Sequence, residues 1–175
     1  MSYIEKLSSI KAILLDLDGV LSDGGIYISE TGAQLRKMNI KDGYAIQLAI
    51  KMKYLVAVIS GGNSESVIPR LQGLGITELH LGVKDKRTCL QSLMEKYQLS
   101  KEHTLYIGDD IPDLNIMQEV GLACCPADAS VEIKSISAYI SDKNGGEGCV
   151  RDVIEKVMRA QDTWNNEFST LTRAI

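Results

Sequence analysis

The sequence predicts an α/β fold of the doubly wound type, organised around a mainly parallel sheet. Short runs of aliphatic and β-branched residues are continuously apolar, as in Ala12-Ile13-Leu14-Leu15, and such runs are typical of parallel strands buried on both faces. The stretches between them repeat apolar residues at helical spacing. Because strands that alternate with helices build parallel sheets covered by helices, these two observations decide the fold class.

Six strands are expected in chain order. They cover residues 10–17, 55–60, 78–82, 104–108, 121–125 and 138–141. A helix is indicated in the middle of the chain by an apolar stripe made of Cys89, Leu90, Leu93, Met94 and Tyr97. Another is indicated near the C-terminus by Val150, Val153, Ile154, Val157 and Met158.

Two segments interrupt this alternation. Residues 25–38 contain two short runs around Glu30-Thr31-Gly32, and the glycine can supply the positive φ of a tight turn. We therefore expect a β-hairpin inserted after the first strand. Pro69 lies inside a helical pattern, which predicts either a kink or a later helix start.

Composition restricts the classes of function. The 175 residues are 45% hydrophobic, so we expect one domain over residues 1–175, with a loose C-terminal tail over about 165–175. The 19 Lys and Arg against 23 Asp and Glu give a net charge of −4 without a basic cluster, and no nucleic-acid partner is expected. Because no apolar run reaches the length of a membrane span and the N-terminus lacks a signal-peptide pattern, we expect no membrane contact and a cytoplasmic location.

Cysteine and histidine offer little for catalysis. The four cysteines have neither the spacing of a disulfide framework nor a Cys-x-x-Cys metal motif, and we interpret them as buried thiols. Only two histidines are present. The chemistry therefore has to use carboxylates, hydroxyls or lysine.

The end of the first strand carries two carboxylates, Asp16 and Asp18, followed by Gly19. Doubly wound folds bind their ligands at the carboxyl edge of the sheet, and Gly19 lets the chain turn so that both acids can face this edge. Two close carboxylates repel each other, and a hard divalent cation relieves that repulsion. Taken alone, the pair would also fit a strand-end turn capped by an aspartate.

Three further elements follow in order, each at the end of an expected strand. Ser60-Gly61-Gly62 can offer a hydroxyl and backbone N–H groups to phosphate oxygens. Lys86, close to a helix start, can neutralise negative charge that develops on a phosphoryl group.

The last of the three elements is acidic. Gly108-Asp109-Asp110 and Asp113 bring more carboxylates to the same edge of the sheet. Because several neighbouring acids are hard to accommodate without a cation, Mg²⁺ is the expected cofactor.

Together these residues resemble the four sequence motifs of the haloacid dehalogenase superfamily of phosphohydrolases, from Asp16 to Asp113. The resemblance implies that Asp16 is the nucleophile, which forms an aspartyl phosphate. It implies that Asp18 protonates the leaving alcohol and then activates the hydrolytic water. Ser60 and Lys86 would hold the transferred phosphoryl group.

The same resemblance implies a magnesium site. Its ligands would be Asp16, the backbone carbonyl of Asp18, and Asp109. Asp110 or Asp113 would orient the catalytic lysine or the metal-bound waters.

Response-regulator receivers are a competing class, because they place an acidic pair, a phosphoaccepting aspartate, a hydroxyl and a lysine on a similar sheet. In that class the acidic pair precedes a separate aspartate on a middle strand. Here the middle strand ends in Ser60, and the second acidic cluster comes after Lys86. The order of the motifs excludes this interpretation.

The motif spacing leaves no room for a cap domain. Only 41 residues separate Asp18 from Ser60, and 25 separate Ser60 from Lys86, whereas members that act on small molecules usually insert a cap in one of these gaps. An uncapped site is open to water. Specificity then has to come from a macromolecular substrate or from a neighbouring subunit.

Beyond the four motifs, the chain is similar to the capless 3-deoxy-D-manno-octulosonate 8-phosphate phosphatases over about residues 10–160. The similarity is carried by residues 16–24, 39–44, 74–76 and 106–110, by Arg70, and by Gly145-Gly146-Glu147-Gly148 before the last helix. It implies a Rossmann-like core, a homotetramer built by the hairpin, and a neighbouring subunit that closes each site.

This resemblance also implies a set of substrate contacts. The pocket would be lined by Asn39, Ile40, Lys41, Asp42 and Gly43, and the contact set would be completed by Asp18, Gln47, Gly61, Gly62, Arg70 and Lys86. Arg70 would meet the carboxylate or an adjacent hydroxyl of the sugar acid, unless it lies on a solvated helix face. Gly62 and Gln47 stand where many relatives carry a basic residue.

We therefore expect a Mg²⁺-dependent phosphatase that hydrolyses 3-deoxy-D-manno-octulosonate 8-phosphate, a small phosphorylated sugar acid, in lipopolysaccharide precursor synthesis. One alternative is a phosphatase for a nine-carbon nonulosonate 9-phosphate. Gly62 and Gly73 give no side chain that selects this longer sugar, so the eight-carbon substrate is favoured. Another alternative is a noncatalytic assembly module, against which the intact motif residues count.

Overall fold

The computed structural model describes residues 3–164 and contains eight strands in that range. They are β1 (Ala12–Leu15), β2 (Tyr27–Ile28), β3 (Gln34–Leu35), β4 (Leu55–Ile59), β5 (Glu78–His80), β6 (Thr104–Ile107), β7 (Leu122–Cys125) and β8 (Tyr139–Ile140). Six form one sheet in the order β5-β4-β1-β6-β7-β8, and every pairing in it is parallel. All six expected strands and the doubly wound α/β class are confirmed. The expected loose tail lies outside the described residues.

Seven α-helices connect and cover the strands within the described range. They are α1 (Tyr3–Ser9), α2 (Ile40–Lys51), α3 (Ile68–Gly73), α4 (Lys86–Lys96), α5 (Leu114–Met117), α6 (Val131–Ile136) and α7 (Cys149–Ala160). The two helices expected from apolar stripes are α4 and α7. Residues from α1, α2, α3 and α7 pack on one face of the sheet, and residues from α4, α5 and α6 pack on the other.

Strand β1 explains why the apolar runs are continuous. Its side chains alternate between faces, so Ile13 and Leu15 join the core beneath α2 and α7, while Leu14 joins the core beneath α4 and α5. All four residues of β1 are buried. A polar residue in this strand would lose its hydration on either face, which is why no polar alternation is seen.

The hairpin expected over residues 25–38 is confirmed. Strands β2 and β3 pair antiparallel, Gly32 has a φ of +80°, and an isolated bridge between Ser22 and Met38 closes the base. Of the two expectations for Pro69, the later helix start is confirmed. α3 begins at Ile68, which puts the proline in the first turn, where its missing N–H is not needed.

The segments between the motif residues are short. Neither the stretch between Asp18 and Ser60 nor that between Ser60 and Lys86 contains a cap domain, and both lie inside the described residues. Between residues 3 and 164, no helix has the length and apolar character that crossing a bilayer requires.

Candidate active site

Three neighbouring strands bring the motif residues to one edge of the sheet. Leu15 of β1 aligns with Val58 of β4 on one side and with Ile107 of β6 on the other. Because these strands run parallel and in register, the residues that follow them, Asp16 and Ser60 among them, emerge side by side. The predicted clustering at the carboxyl edge of the sheet is confirmed by this register.

An open cavity of about 380 Å³ lies at this edge. It is lined by Asp16, Asp18, Gly24, Ser60, Gly61, Gly62, Lys86, Asp109, Asp110, Pro112 and Asp113. All four motifs therefore contribute to one cavity.

Lys86 is the cation at the centre of the cavity. Its Nζ donates to Asp16 Oδ1 and to Asp113 Oδ1, both at 2.7 Å, and its side chain is buried. It is the first residue of α4, whose N-terminus is capped by the Asp85 side chain, which accepts from the Arg87 and Thr88 N–H groups. The cap fixes the direction in which Lys86 leaves the helix, so the ammonium is held in place.

Tyr106 is a residue of this site that the sequence analysis did not identify. It lies fully buried in β6, and its hydroxyl donates to Asp113 Oδ1 at 2.8 Å, with Lys86 Nζ 3.4 Å away. Burial first, and then the charge of Asp113, raise the pKa of Tyr106 well above its usual range. The phenol therefore remains protonated and orients the Asp113 carboxylate. The signal in the sequence that could have identified Tyr106 was a hydroxyl-bearing side chain near the end of an otherwise apolar strand.

The cavity carries more negative charge than Lys86 balances. Burial, followed by the charge of Asp113, raises the pKa of Asp16 to about 6 even though Lys86 opposes the shift. Burial, followed by the charges of Asp16 and Asp113, raises the pKa of Asp109 to about 7. Burial lowers the pKa of Lys86, but the charges of Asp16 and Asp113 and the hydrogen bonds to them outweigh this effect, so the pKa is raised. An additional cation would relieve this repulsion.

Carboxylate oxygens of Asp16, Asp109 and Asp113 lie within 4.8 Å of one another, close enough to share one metal ion. Oxygen donors of this kind suit a hard divalent cation. The set fits the expected Mg²⁺ site in Asp16 and Asp109, and it adds the carboxylate of Asp113. The expected contribution of Asp18 through its backbone carbonyl stays a prediction.

Two glycines allow the acidic cluster to form. Gly19 has a φ of +87°, and a Cβ there would overlap the Asp109 carboxylate. Gly145 lies against the same turn, where a Cβ would overlap the Gly19 carbonyl group. The Gly146 N–H donates to Val20 O at 2.9 Å. The Gly-rich segment before α7 thus supports the loop that holds Asp18.

The other expected substrate residues lie away from this cavity. Asn39 caps α2 by accepting from the Lys41 N–H at 2.8 Å, and Ile40 and Gln47 are exposed. Lys41 lines a separate cavity of about 540 Å³. The roles of these residues in substrate binding stay predictions.

Arg70 lies on α3 beside Gly43, where a Cβ at the glycine would come within 2.6 Å of the guanidinium. The arginine lines a third cavity, of about 250 Å³, together with residues at the end of the hairpin. A larger residue at position 43 would displace Arg70, so the glycine sets the position of that side chain.

Asp42 has a structural partner. It is 2% exposed, and its Oδ1 accepts from the Arg151 N–H at 2.7 Å in the first turn of α7. Its Oδ2 is buried and has no hydrogen-bond partner among the described residues. Burial is the main reason why the pKa of Asp42 rises to about 6. This carboxylate joins α2 to α7.

We expect Asp42→Asn to change the pH dependence of stability. The pKa of Asp42 is higher in the folded protein than the ordinary 3.8, so its stabilising contribution is complete below about pH 4 and is lost as the pH rises through 6. The amide of the variant stays neutral and can still accept from the Arg151 N–H. The free energy of unfolding of the variant minus that of the wild type should therefore rise between pH 4 and 7, by up to about 3 kcal/mol.

Urea unfolding at a series of pH values measures this difference, in which contributions from the active-site acids cancel. Asp142→Asn, at an exposed position, is the matched control and should show no such slope. A difference that stays constant from pH 4 to 7 would contradict the interpretation of Asp42.

Arg36 is a second residue that the sequence analysis missed. It follows β3, and its guanidinium binds the Asp18 carboxylate, with Nε to Oδ1 at 2.5 Å and Nη2 to Oδ2 at 3.1 Å. Its Nη1 donates to Ser64 Oγ at 2.8 Å. No spacing rule connects a hairpin residue to a strand end, so the sequence held no signal for this contact.

Known proteins with similar sequences belong to the class of enzyme that this site indicates. A sequence profile of haloacid dehalogenase-like hydrolases matches residues 72–154. The 3-deoxy-D-manno-octulosonate 8-phosphate phosphatase of Escherichia coli (strain K12) is 38% identical over 158 residues, which cover 90% of this chain and 84% of that protein. The chain belongs to the 3-deoxy-D-manno-octulosonate 8-phosphate phosphatase family. The resemblance found in the sequence is thereby confirmed.

Solved structures in this family have the same fold. The crystal structure of the Yersinia pestis phosphatase superposes with a TM-score of 0.89 at 36% identity and covers 91% of this chain and 86% of that one. The enzyme from Moraxella catarrhalis superposes with a TM-score of 0.92 at 33% identity and covers 96% and 97%. That second structure is a complex with a magnesium ion, a phosphate ion and a 3-deoxy-D-manno-octulosonate molecule.

Proposed function

We propose that this protein is a Mg²⁺-dependent phosphatase that hydrolyses 3-deoxy-D-manno-octulosonate 8-phosphate to the free sugar acid and phosphate, a step of lipopolysaccharide precursor synthesis. The observation that carries the proposal is the buried carboxylate of Asp16, held by Lys86 at 2.7 Å and grouped with two further acids in one cavity. The substrate is supported by the names of the family members that match almost the whole chain.

The acidic cluster supports the choice of metal. Asp16, Asp109 and Asp113 would hold Mg²⁺, with the backbone carbonyl of Asp18 as a further ligand. The bound ion supplies positive charge to the phosphate oxygens and to the attacking carboxylate. Structures of two relatives, one with a magnesium ion and one in a cobalt-bound form, support the choice of a divalent metal.

In the proposed reaction, an Asp16 carboxylate oxygen attacks phosphorus and the bond between phosphorus and the ester oxygen breaks. The electron pair of that bond stays on the sugar oxygen, which takes a proton from Asp18. Water then attacks the aspartyl phosphate, Asp18 takes a proton from that water, and Asp16 is regenerated with release of phosphate. Ser60 and Lys86 hold the phosphoryl oxygens throughout, with Gly61 and Gly62 lining the same cavity.

A phosphatase screen tests this proposal. Purified protein with Mg²⁺ should release phosphate from 3-deoxy-D-manno-octulosonate 8-phosphate with a higher kcat/KM than from a nonulosonate 9-phosphate, a hexose phosphate or a phosphopeptide. Preference for the nine-carbon ester would transfer the assignment to that substrate. Absence of turnover with every ester would favour a noncatalytic module.

We further propose that the protein assembles through its hairpin as a homotetramer in which a neighbour covers the open cavity. Tyr27 is 62% exposed and Ile28 is 73% exposed, and Ile26 and Leu35 add to the same apolar surface. An isolated two-stranded hairpin is marginal in water, so these side chains need a covering surface.

Charged substitutions test the assembly. Tyr27→Glu with Ile28→Lys should dissociate the oligomer, because burying the new charges against a neighbour costs several kcal/mol. The loss of the covering subunit should raise KM for the sugar phosphate roughly tenfold, by removing on the order of 1.4 kcal/mol of binding energy, and should leave KM for 4-nitrophenyl phosphate nearly unchanged.

Light scattering measures the assembly, and steady-state kinetics measure both KM values. Val131→Lys, at an apolar position on α6 that is 78% exposed, is the matched control and should keep the wild-type mass. A wild-type monomer with full selectivity for the sugar phosphate would contradict the proposed assembly.

The cytoplasm is the location that we propose. All four cysteines are unpaired thiols, and Cys124, Cys125 and Cys149 are buried. Unpaired thiols persist in the reducing environment of this compartment.

A further inference from the structure

The hairpin and the active site are joined by one buried side chain. The Arg36 side chain is 4% exposed, and all three of its nitrogens have partners: two bind Asp18 and one binds Ser64. Ser64 is itself buried, and its hydroxyl also meets Ser66 Oγ at 3.0 Å. A guanidinium held by this many contacts has one orientation, unlike a solvated surface cation.

The carboxylate that Arg36 holds faces the phosphoryl site. A Cβ built on Gly62 would lie 3.2 Å from Asp18 Oδ2 and 3.5 Å from Ser60 Oγ. Asp18 lines the 380 Å³ active-site cavity, while Arg36 lines the 250 Å³ cavity under the hairpin. The ion pair therefore lies between the two cavities.

Asp18 has little else to fix its direction. Among the described residues, the only other side-chain partner of its carboxylate is Ser22 Oγ at 3.3 Å, a long contact. Side-chain rotation about Cα–Cβ and Cβ–Cγ would turn the carboxylate away from the phosphoryl site if Arg36 were absent. When Asp18 is protonated, the proton would be carried by Oδ2, the oxygen that faces Gly62, while Oδ1 would keep its contact with Arg36 Nε. A proton donor displaced by about 1 Å loses much of its effect.

We propose that Arg36 is a positioning residue that aims Asp18 at the leaving-group oxygen. The inference rests on the proposed phosphatase function, and it makes the hairpin part of the catalytic apparatus of its own subunit. Arg36 is not among the residues that line the active-site cavity, whereas Asp18 is. Its effect on the reaction passes through Asp18.

The proposed role has a distinctive dependence on the leaving group. When the bond between phosphorus and the ester oxygen breaks, a sugar oxygen needs the proton that Asp18 delivers. A 4-nitrophenolate leaves with the electron pair and needs no proton. Misdirection of Asp18 should therefore slow phosphoryl transfer from the sugar ester and spare transfer from the aryl ester. A general disturbance of the site would slow both esters, whereas loss of the neighbouring subunit would raise KM for the sugar ester without lowering its kcat.

The test measures kcat, KM and their ratio for 3-deoxy-D-manno-octulosonate 8-phosphate and for 4-nitrophenyl phosphate in the wild type, Arg36→Met and Arg36→Lys, and light scattering shows that each variant keeps the wild-type mass. The ratio kcat/KM covers only the steps up to release of the alcohol, so the later attack of water does not contribute. In Arg36→Met we expect a fall of roughly a hundredfold for the sugar ester and less than about threefold for the aryl ester. Arg36→Lys keeps the positive charge but cannot contact both oxygens of Asp18. Its kcat/KM for the sugar ester should therefore lie between the values of the wild type and Arg36→Met.

Two further variants separate positioning from folding. Ser64→Ala removes the hydrogen bond between Ser64 and Arg36. It should lower kcat/KM for the sugar ester by less than Arg36→Met does, and again leave kcat/KM for the aryl ester nearly unchanged. Lys37→Met, beside Arg36 but with a half-exposed side chain, is the matched control and should keep the wild-type ratio of the two substrates. Urea midpoints show which variants are folded. Should Arg36→Met not fold, Arg36→Lys and Ser64→Ala decide the outcome.

Equal losses with both esters would overturn the proposal and leave Arg36 as a structural contact, and so would unchanged rates in Arg36→Met and Ser64→Ala. An inactive wild type would instead overturn the proposed function, and the positioning role with it.

Discussion

Asp16→Asn is expected to abolish turnover of every phosphate monoester while leaving the fold intact. An amide is a poor nucleophile, and it is a weaker ligand for a divalent cation than a carboxylate. Loss of the nucleophile should cost at least about 4 kcal/mol of the activation barrier, which corresponds to a fall in kcat of a thousandfold or more. Steady-state release of phosphate measures this fall.

The fold should survive because the ionised Asp16 carboxylate is not a stabilising group. Its pKa of about 6 in the folded protein lies above the ordinary 3.8, so at pH 7 ionisation opposes folding. Asparagine has the same shape and keeps an oxygen for the Lys86 ammonium, which also retains Asp113. The urea midpoint at pH 7 should therefore equal or exceed that of the wild type.

A second readout identifies the covalent step. Wild-type protein that is quenched in acid during turnover of a radioactive phosphate ester should carry an acid-stable label at Asp16 that hydroxylamine removes. Asp16→Asn should carry none. Retention of more than about a hundredth of the wild-type rate in this variant, at roughly 1.4 kcal/mol per decade, would falsify the aspartyl-phosphate mechanism.

Removal of the metal should have an effect of similar size. EDTA is expected to lower kcat at least a hundredfold, Mg²⁺ to restore it fully, and Ca²⁺ to restore it poorly. Mg²⁺ requires a compact octahedral set of oxygens, whereas the larger Ca²⁺ accepts longer and less regular contacts that leave the attacking carboxylate and the phosphate misaligned. Phosphate release in metal-free protein that is titrated with each ion measures the effect.

Thermal unfolding gives a readout of the metal that does not depend on activity. A ligand that binds only the folded protein raises its stability by about 2.7 kcal/mol at a hundred times its dissociation constant. Mg²⁺ should therefore raise the Tm of the wild type and of Asp142→Asn, which lies outside the acidic cluster, but not that of Asp109→Asn. Full activity in excess chelator, or an equal Tm shift in Asp109→Asn, would show that the acidic cluster binds no catalytic metal.

Positions at strand ends were predictable because they depend on a repeating geometry. Continuous apolar runs located β1, β4 and β6, and parallel strands in register present their following residues at a common edge. Asp16, Ser60 and Asp109 therefore follow from local pattern and from the fold class alone.

Contacts made by individual side chains were less predictable. Asp42 matched a segment of the family that was expected to line the substrate pocket, yet its carboxylate is turned inward to the first turn of α7. Nothing in the local pattern of α2 distinguishes an inward aspartate from an outward one. The direction depends on α7, which begins more than a hundred residues later and packs against this helix.

By itself, the sequence determined the parallel α/β class, the hairpin, the order of the motifs and their meeting at one edge, because these depend on periodicity and on the sequential order of strands. Only the tertiary structure decided that Tyr106 orients Asp113 and that Arg36 holds Asp18. Both contacts join side chains whose partners are selected by packing rather than by spacing. Arg36 reaches Asp18 because the hairpin folds back onto the turn before α3, where Ser64 binds the same guanidinium. Such a contact forms only when three separate segments pack together, so no single stretch of sequence encodes it.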